Sequence, residues 1–298
     1  MSEFIMKPKV DFCFKELMEE PEVRRGFISA VLGIRPEEII QTTLLPTHLR
    51  KESQEEKLGI LDVRVLLNGD IQINMEMQVA PFELWAERSL FYLGKMYIDQ
   101  IKEGEDYDVL KKCIHIGILD FVMFQEDEEF YSRFHIWEDQ RHRKYTDKLE
   151  VHILELPKLD RYRYPQTELL KWARFINAER KEDLEMIAKT DKFLGKAYEA
   201  LTNLSADEKK RLEYEAREKA IRDHHHQMKS NWNAGHEQGL KQGIEQGIEQ
   251  GIEQGEKSGE ERMARLAQQL IRSERLEELE RAVEDQEYRM LLFEEFHI

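Results

Sequence analysis

The feature that most restricts the fold of this chain is an alternating segment over residues 61–79, interrupted by an Asn-Gly turn. Two runs with a period of two residues on either side of such a turn predict a β-hairpin. The odd positions are apolar: Leu61, Val63, Val65, Leu67, Ile71, Ile73, Met75, Met77 and Val79. The even positions are polar: Asp62, Arg64, Gln72, Asn74, Glu76 and Gln78. The odd face is therefore expected in the core, and the even face is the candidate place for chemistry.

The register of this hairpin follows from its parity. Residues that lie opposite each other in an antiparallel pair share a face, so their numbers must have an even sum. A three-residue loop at 68–70 pairs Leu67 with Ile71, and the same register sets Asp62 opposite Glu76. A two-residue turn would mix the two faces, so a three-residue loop or a compensating bulge is expected. Opposite Cβ atoms lie roughly 4.5–5.5 Å apart, which lets both carboxylates reach one cation.

Two carboxylates on neighbouring strands repel each other unless a cation lies between them. Ligation by oxygen alone suits Mg²⁺ or Mn²⁺. Such an ion polarises a phosphate and lowers the pKa of an attacking water, so Asp62 and Glu76 indicate phosphodiester hydrolysis. Gln78 lies on the same face, where its amide could hold that water or a phosphate oxygen, but it cannot act as a base.

The order Asp62, then Glu76-Met77-Gln78 on the next strand, resembles the D…(D/E)XK core of PD-(D/E)XK nucleases, with Gln replacing the usual Lys. Further motifs resemble the recombination-promoting nuclease, or putative transposase, family: residues 11–15, 60–63, 74–78, 104–107 and 154–158, Arg88 with Tyr92, and a tail with Gly at every fourth position. The resemblance implies a mixed α/β fold with a central mixed sheet flanked by helices, followed by an all-helical C-terminal region. It also implies a DNA endonuclease that depends on Mg²⁺ or Mn²⁺ and is linked to recombination or mobile elements.

A neutral Gln78 supplies only hydrogen bonds at a position where Lys would supply positive charge. Catalysis is then expected to be slower unless another cation substitutes. The candidates are Arg64, on the same strand face, and Arg88, which is followed by Tyr92 on the next helix. An additional pair on the first predicted helix is Asp11 with Lys15, as a further ligand and a phosphate contact; a surface ion pair is an equally good interpretation of these two.

Four regions are expected along the chain: a nuclease-like core over 1–160, a helical extension over 161–226, a glycine-repeat segment over 227–261 and an amphipathic helical tail over 262–298. A long helix is predicted from Pro81 to about Glu103. Ser205, with Glu208 three residues on, is typical of a capping box at the start of another helix. The extension is expected to pack beside the core and not to carry chemistry.

Glycine recurs at every fourth position from Gly235 to Gly259, within Ile-Glu-Gln-Gly repeats. Each Gly costs about 1 kcal/mol in an isolated helix relative to Ala, so a lone helix is disfavoured here. Two interpretations stay open: a self-associating helix pair, in which small residues let backbones approach, and a flexible linker. The tail from Arg262 onward is the better candidate for a contact that makes homo-oligomers.

The net charge of −16 argues against a general nucleic-acid binder. Residues 235–298 hold 16 Asp and Glu against 8 Lys and Arg, so the remainder is only mildly acidic. An alternative function is therefore a nuclease-like protein of weak or no activity that acts through its acidic tail as an interaction module. No membrane span or secretion signal is evident, and a cytoplasmic location is expected. Cys13 and Cys113 are expected to be reduced packing residues.

Overall fold

A mixed six-stranded sheet is the centre of the computed structural model, which describes residues 4–49 and 61–298. Its strands are β1 (Thr42–Leu45), β2 (Val63–Leu67), β3 (Ile71–Gln78), β4 (Cys113–Leu119), β5 (Tyr131–Glu138) and β6 (Arg143–Glu155). Their order in space is β1-β2-β3-β4-β6-β5. The β3/β4 and β4/β6 pairs are parallel and the other three pairs are antiparallel. The predicted mixed α/β fold is confirmed.

The described residues form α-helices before, between and after the strands. These are α1 (Asp11–Glu19), α2 (Pro21–Leu32), α3 (Trp85–Ile98), α4 (Glu168–Asn177), α5 (Lys181–Ala188), α6 (Lys192–Ala206), α7 (Glu208–Arg272), α8 (Leu276–Glu284) and α9 (Gln286–Glu295). Short 3₁₀ turns lie at Pro36–Glu38, Tyr107–Val109 and Leu156–Asp160. The chain divides into two compact units, Met1–His225 and His226–Ile298, and helix α7 runs across the boundary.

The β2–β3 hairpin has the register that parity predicts. Leu67 pairs with Ile71 and Val63 with Met75, so the loop has three residues. The turn uses left-handed backbone at Asn68 (φ 51°) and Gly69 (φ 74°), conformations that Asn and Gly tolerate best. The odd face of the hairpin is buried in the main core against helices on one side of the sheet.

Leu61 departs from this alternation. It packs with Tyr92, Leu93 and Met96 of α3, on the opposite side of the sheet from Val63. The regular strand begins only at Val63, and the backbone bends at Asp62. Period-two alternation holds only while the chain is extended, so the predicted face for Leu61 is wrong.

Two helix boundaries also differ from the sequence predictions. Helix α3 covers Trp85–Ile98, which is shorter than predicted at both ends because the chain turns before Trp85 and again after Ile98. Ser205 lies inside α6, where its hydroxyl donates to the Leu201 carbonyl at 2.7 Å. The side chain that caps α7 is Asp207, whose Oδ1 accepts the Lys210 N–H at 2.9 Å. An acidic side chain with extended backbone makes this cap as readily as Ser does.

The glycine-repeat segment is helical. All seven glycines from Gly235 to Gly259 lie within α7, and a Cβ at any of them would meet open space. The remaining repeat positions are mostly good helix formers, and the helix starts well before the repeat, so no separate nucleation is needed. The end of α7 packs with α8 and α9 through Leu266, Leu270, Ala282, Leu292 and Phe293. Among the helices described, none combines the length and apolar character that a bilayer span requires.

Candidate active site

The second half of β3 carries the candidate residue Glu76 into a buried position. Glu76 lies beside Gly117 of β4, and the Trp85 ring of α3 packs directly on that glycine. A Cβ at position 117 would lie 2.7 Å from Trp85 Cζ2, so only Gly lets the ring approach the sheet this closely. As a result the polar face of β3 is covered by α3, and Glu76 is only 2% exposed.

The two oxygens of the Glu76 carboxylate have different surroundings. Oε1 accepts a short hydrogen bond from Nη2 of Arg88 on α3. Oε2 is buried and has no hydrogen-bond partner among the described residues. Burial raises the pKa of Glu76 to about 7, an effect that Arg88 opposes and the nearby charge of Asp62 reinforces. An ionisable side chain held so far from its ordinary pKa, with one free buried oxygen, is a candidate for function.

Asp62 lies immediately before β2, where the chain bends, one residue beyond the last pair of the hairpin, so the ladder does not include the predicted pairing of Asp62 with Glu76. Its Oδ2 accepts the backbone N–H of Met77 at 3.2 Å, which ties the carboxylate to β3. Burial raises the pKa of Asp62; the Met77 hydrogen bond and the charges of Lys15 and Arg88 act in the opposite direction. The charge of Asp62 helps to raise the pKa of Glu76, so the two carboxylates lie near each other.

An open cleft of about 560 Å³ leads to Asp62 but not directly to Glu76. Its walls come from α1, from Asp62 itself and from the first part of α7. The lining residues are Asp11, Phe12, Lys15, Asp62, Glu213, Ala216, Arg217 and Ala220. Asp11 and Lys15, the helical pair singled out in the sequence, are thus beside Asp62.

Arg88 is held by three aromatic rings on the same side of the sheet. Its guanidinium carbon lies 5.7, 5.8 and 5.5 Å from the ring centroids of Phe82, Trp85 and Tyr92. Such contacts each contribute about 0.5–1 kcal/mol and restrict the orientation of the guanidinium. Of the two candidate residues of α3, Arg88 contacts Glu76, and Tyr92 contacts the Arg88 guanidinium.

Gln78 and Arg64 make other contacts. The Gln78 amide donates to the Ala80 carbonyl at 2.9 Å. The Arg64 guanidinium donates to Gln72 Oε1 at 2.7 Å and lies near the Pro46 carbonyl. Gln78 stands at the end of the same strand as Glu76, whereas the charge of Arg64 is directed toward Gln72 and away from the acidic pair.

One cation of the cleft was missed in the sequence. Arg217 of α7 donates from Nε to both carboxylate oxygens of Asp11, at 2.8 and 2.7 Å, and from Nη2 to Oδ2. The sequence signal is weak, because 206 residues separate the two partners.

The carboxylate oxygens available here suit a divalent cation that keeps several waters better than a cation enclosed by protein ligands. Within residues 4–49 and 61–298, no three acidic, His or Cys side chains are grouped as a ready set of ligands. Mg²⁺ retains several waters and is commonly bound by one or two carboxylates together with substrate phosphate. Asp62 and the unpartnered Oε2 of Glu76 match that requirement.

Comparison with family models supports the resemblance predicted from the motifs. A model described as a PD-(D/E)XK nuclease family transposase matches residues 8–231, well over half of the chain. The matched region includes Asp62, Glu76 and Arg217. Comparison with curated proteins and with solved structures gave no match.

Proposed function

The chain belongs to the PD-(D/E)XK nuclease family of transposases, and we propose that it is a divalent-metal-dependent DNA endonuclease that hydrolyses phosphodiester bonds. The observation that carries the proposal is the Glu76 carboxylate, which is buried beside Asp62 with one oxygen unpartnered. A buried carboxylate without full hydrogen bonding destabilises a fold, so its presence is best explained by a ligand. We further propose that this activity serves recombination or mobile DNA, which the description of the family as transposases supports.

Asp62 and Glu76 are the proposed ligands of Mg²⁺ or Mn²⁺. When bound, such an ion polarises the scissile phosphate and lowers the pKa of the attacking water. Gln78 would hold that water or a phosphate oxygen by hydrogen bonds after its amide leaves the Ala80 carbonyl. Arg88 supplies the positive charge that Gln78 lacks, since its guanidinium already contacts Glu76 and is oriented by aromatic rings.

Asp62→Asn is expected to lower Mg²⁺-dependent nicking of plasmid DNA by at least about two orders of magnitude, because several kcal/mol of transition-state stabilisation depend on the bound ion. EDTA should abolish nicking by the wild type. The matched control is Asp70→Asn, which changes an exposed acid of the same hairpin that pairs with Lys111 at 3.1 Å. Equal nicking by wild type and Asp62→Asn would refute the proposed site, and absence of nicking by the wild type would favour the interaction-module alternative.

We also propose that the four regions have separate tasks and that the C-terminal region makes homo-oligomers. The apolar repeat positions Ile244, Ile248 and Ile252 are more than half exposed on α7, which supports association with a second helix. Deletion of residues 227–298 is expected to reduce the mass in solution to that of a monomer, measured by light scattering. An unchanged oligomer would contradict this. The cytoplasmic location stays a prediction.

A further inference from the structure

Helix α7 forms one wall of the Asp62 cleft, although it follows the sheet by many residues. Ala216 and Ala220 line this wall together with Glu213 and Arg217. Arg217, between them, is 52% exposed and is joined to Asp11 by a two-pronged ion pair. The helical extension thus contributes a charged group to the cleft.

The ion pair uses only two of the three guanidinium nitrogens of Arg217. Asp11 receives the donors Nε and Nη2, whereas Nη1 has no acceptor in the described part of the chain. The charge of Asp62 reaches Arg217 and helps to stabilise its ionised form. Lys15 lines the same cleft, and its positive charge lowers the pKa of Asp62. Two cations, Lys15 and Arg217, therefore line the cleft together with Asp62, the member of the proposed acidic pair that borders it.

We propose that Arg217 binds a phosphate of the substrate DNA next to Asp62. The inference rests on the proposed nuclease function and extends the substrate-binding surface to helix α7. A guanidinium presents paired donors that match a phosphate as well as a carboxylate, and it keeps its charge at any physiological pH. Arg88 is directed into the sheet toward Glu76, so Arg217 is the better placed of the two to meet the backbone of an incoming strand.

The two partners of this ion pair should affect DNA binding in opposite ways. Arg217→Gln is expected to weaken binding of a short DNA duplex about tenfold and to reduce the slope of log K against log salt by about one. Asp11→Asn keeps the arginine and removes a negative charge, so affinity should be unchanged or higher. Fluorescence anisotropy in EDTA, repeated in Ca²⁺, measures binding without relying on cleavage.

The matched control is Arg222→Gln, which changes an exposed arginine of the same helix that pairs with Glu218 outside the cleft. Its DNA affinity should equal that of the wild type. If the Arg217–Asp11 ion pair served only to join α7 to α1, Arg217→Gln and Asp11→Asn would lose equal amounts of DNA affinity and of thermal stability. That result would overturn the inference.

The inference and the nuclease function fail in different ways. Wild-type affinity in Arg217→Gln, together with loss of cleavage in Asp62→Asn, would overturn the role of Arg217 and leave the nuclease in place. Absence of DNA binding and of cleavage by the wild type would overturn both.

Discussion

Replacing Glu76 by Gln is expected to abolish DNA cleavage and, at the same time, to make the metal-free protein more stable at pH 8. The loss of cleavage follows from the loss of a proposed metal ligand. The gain in stability follows because the ionised carboxylate is buried with one oxygen unpartnered, whereas a neutral amide carries no charge to desolvate. The Gln oxygen can still accept a hydrogen bond from Arg88.

The size and the pH dependence of this gain follow from the pKa of Glu76. Burial raises that pKa from 4.5 to about 7, and each unit corresponds to about 1.4 kcal/mol, so ionisation costs the fold about 3 kcal/mol. The cost is fully present above pH 7, declines as the pH falls through 7 and is absent below 4.5. Urea unfolding of wild type and Glu76→Gln in EDTA at pH 5 and pH 8 measures it. A stability difference that is larger at pH 5 would contradict the assignment.

Mg²⁺ provides the control for this experiment. If Glu76 is a ligand, saturating Mg²⁺ should stabilise the wild type by mass action and leave Glu76→Gln unchanged. The stabilisation should weaken below pH 7, where protons compete for the same carboxylate. Equal stabilisation of both proteins would place the ion elsewhere.

Removal of the Arg88 side chain is expected to destabilise the protein by about 3 kcal/mol at pH 8 and by only about 1 kcal/mol in the Glu76→Gln background. The larger value reflects a buried carboxylate that has lost its cation. The smaller value reflects the lost contacts with Phe82, Trp85 and Tyr92, which do not depend on Glu76. The difference between the two values is the coupling energy of the ion pair.

Urea unfolding of the wild type, Arg88→Ala, Glu76→Gln and the double variant measures this coupling. Without Arg88 the pKa of Glu76 rises further, so the penalty of Arg88→Ala should shrink as the pH falls. Arg64→Ala is the matched control. Arg64, on β2, is half-buried like Arg88, but it binds the neutral side chain of Gln72. Additive effects of Arg88→Ala and Glu76→Gln would show that the ion pair contributes nothing to stability.

The hairpin could be predicted because it depends on local rules. Parity fixes which residues share a face, and it gave the pairing of Leu67 with Ile71 and the three-residue loop. The family motifs then supplied the fold that the sheet order confirms.

The contacts that shape the site could not be predicted, because each joins distant parts of the chain. Trp85 packs on the sheet beside Glu76 only because Gly117, on the neighbouring strand, leaves room for its ring. Arg217 binds Asp11, which is 206 residues away in the sequence, and no repeating pattern in the sequence indicates that contact. The helical glycine segment shows a different limit: intrinsic propensity alone underestimates a helix that continues from a stable start.

The loop at residues 68–70 has a consequence for how the gene for this chain can change. A residue gained or lost within the loop leaves Leu67 opposite Ile71 if the turn alone absorbs the change, because hairpin loops of about two to five residues can join the same two strands. A residue gained or lost within β2 or β3 instead shifts that strand by one position and turns every residue beyond it to the other face. Length variation should therefore be confined to the loop and be absent from the two strands that it joins.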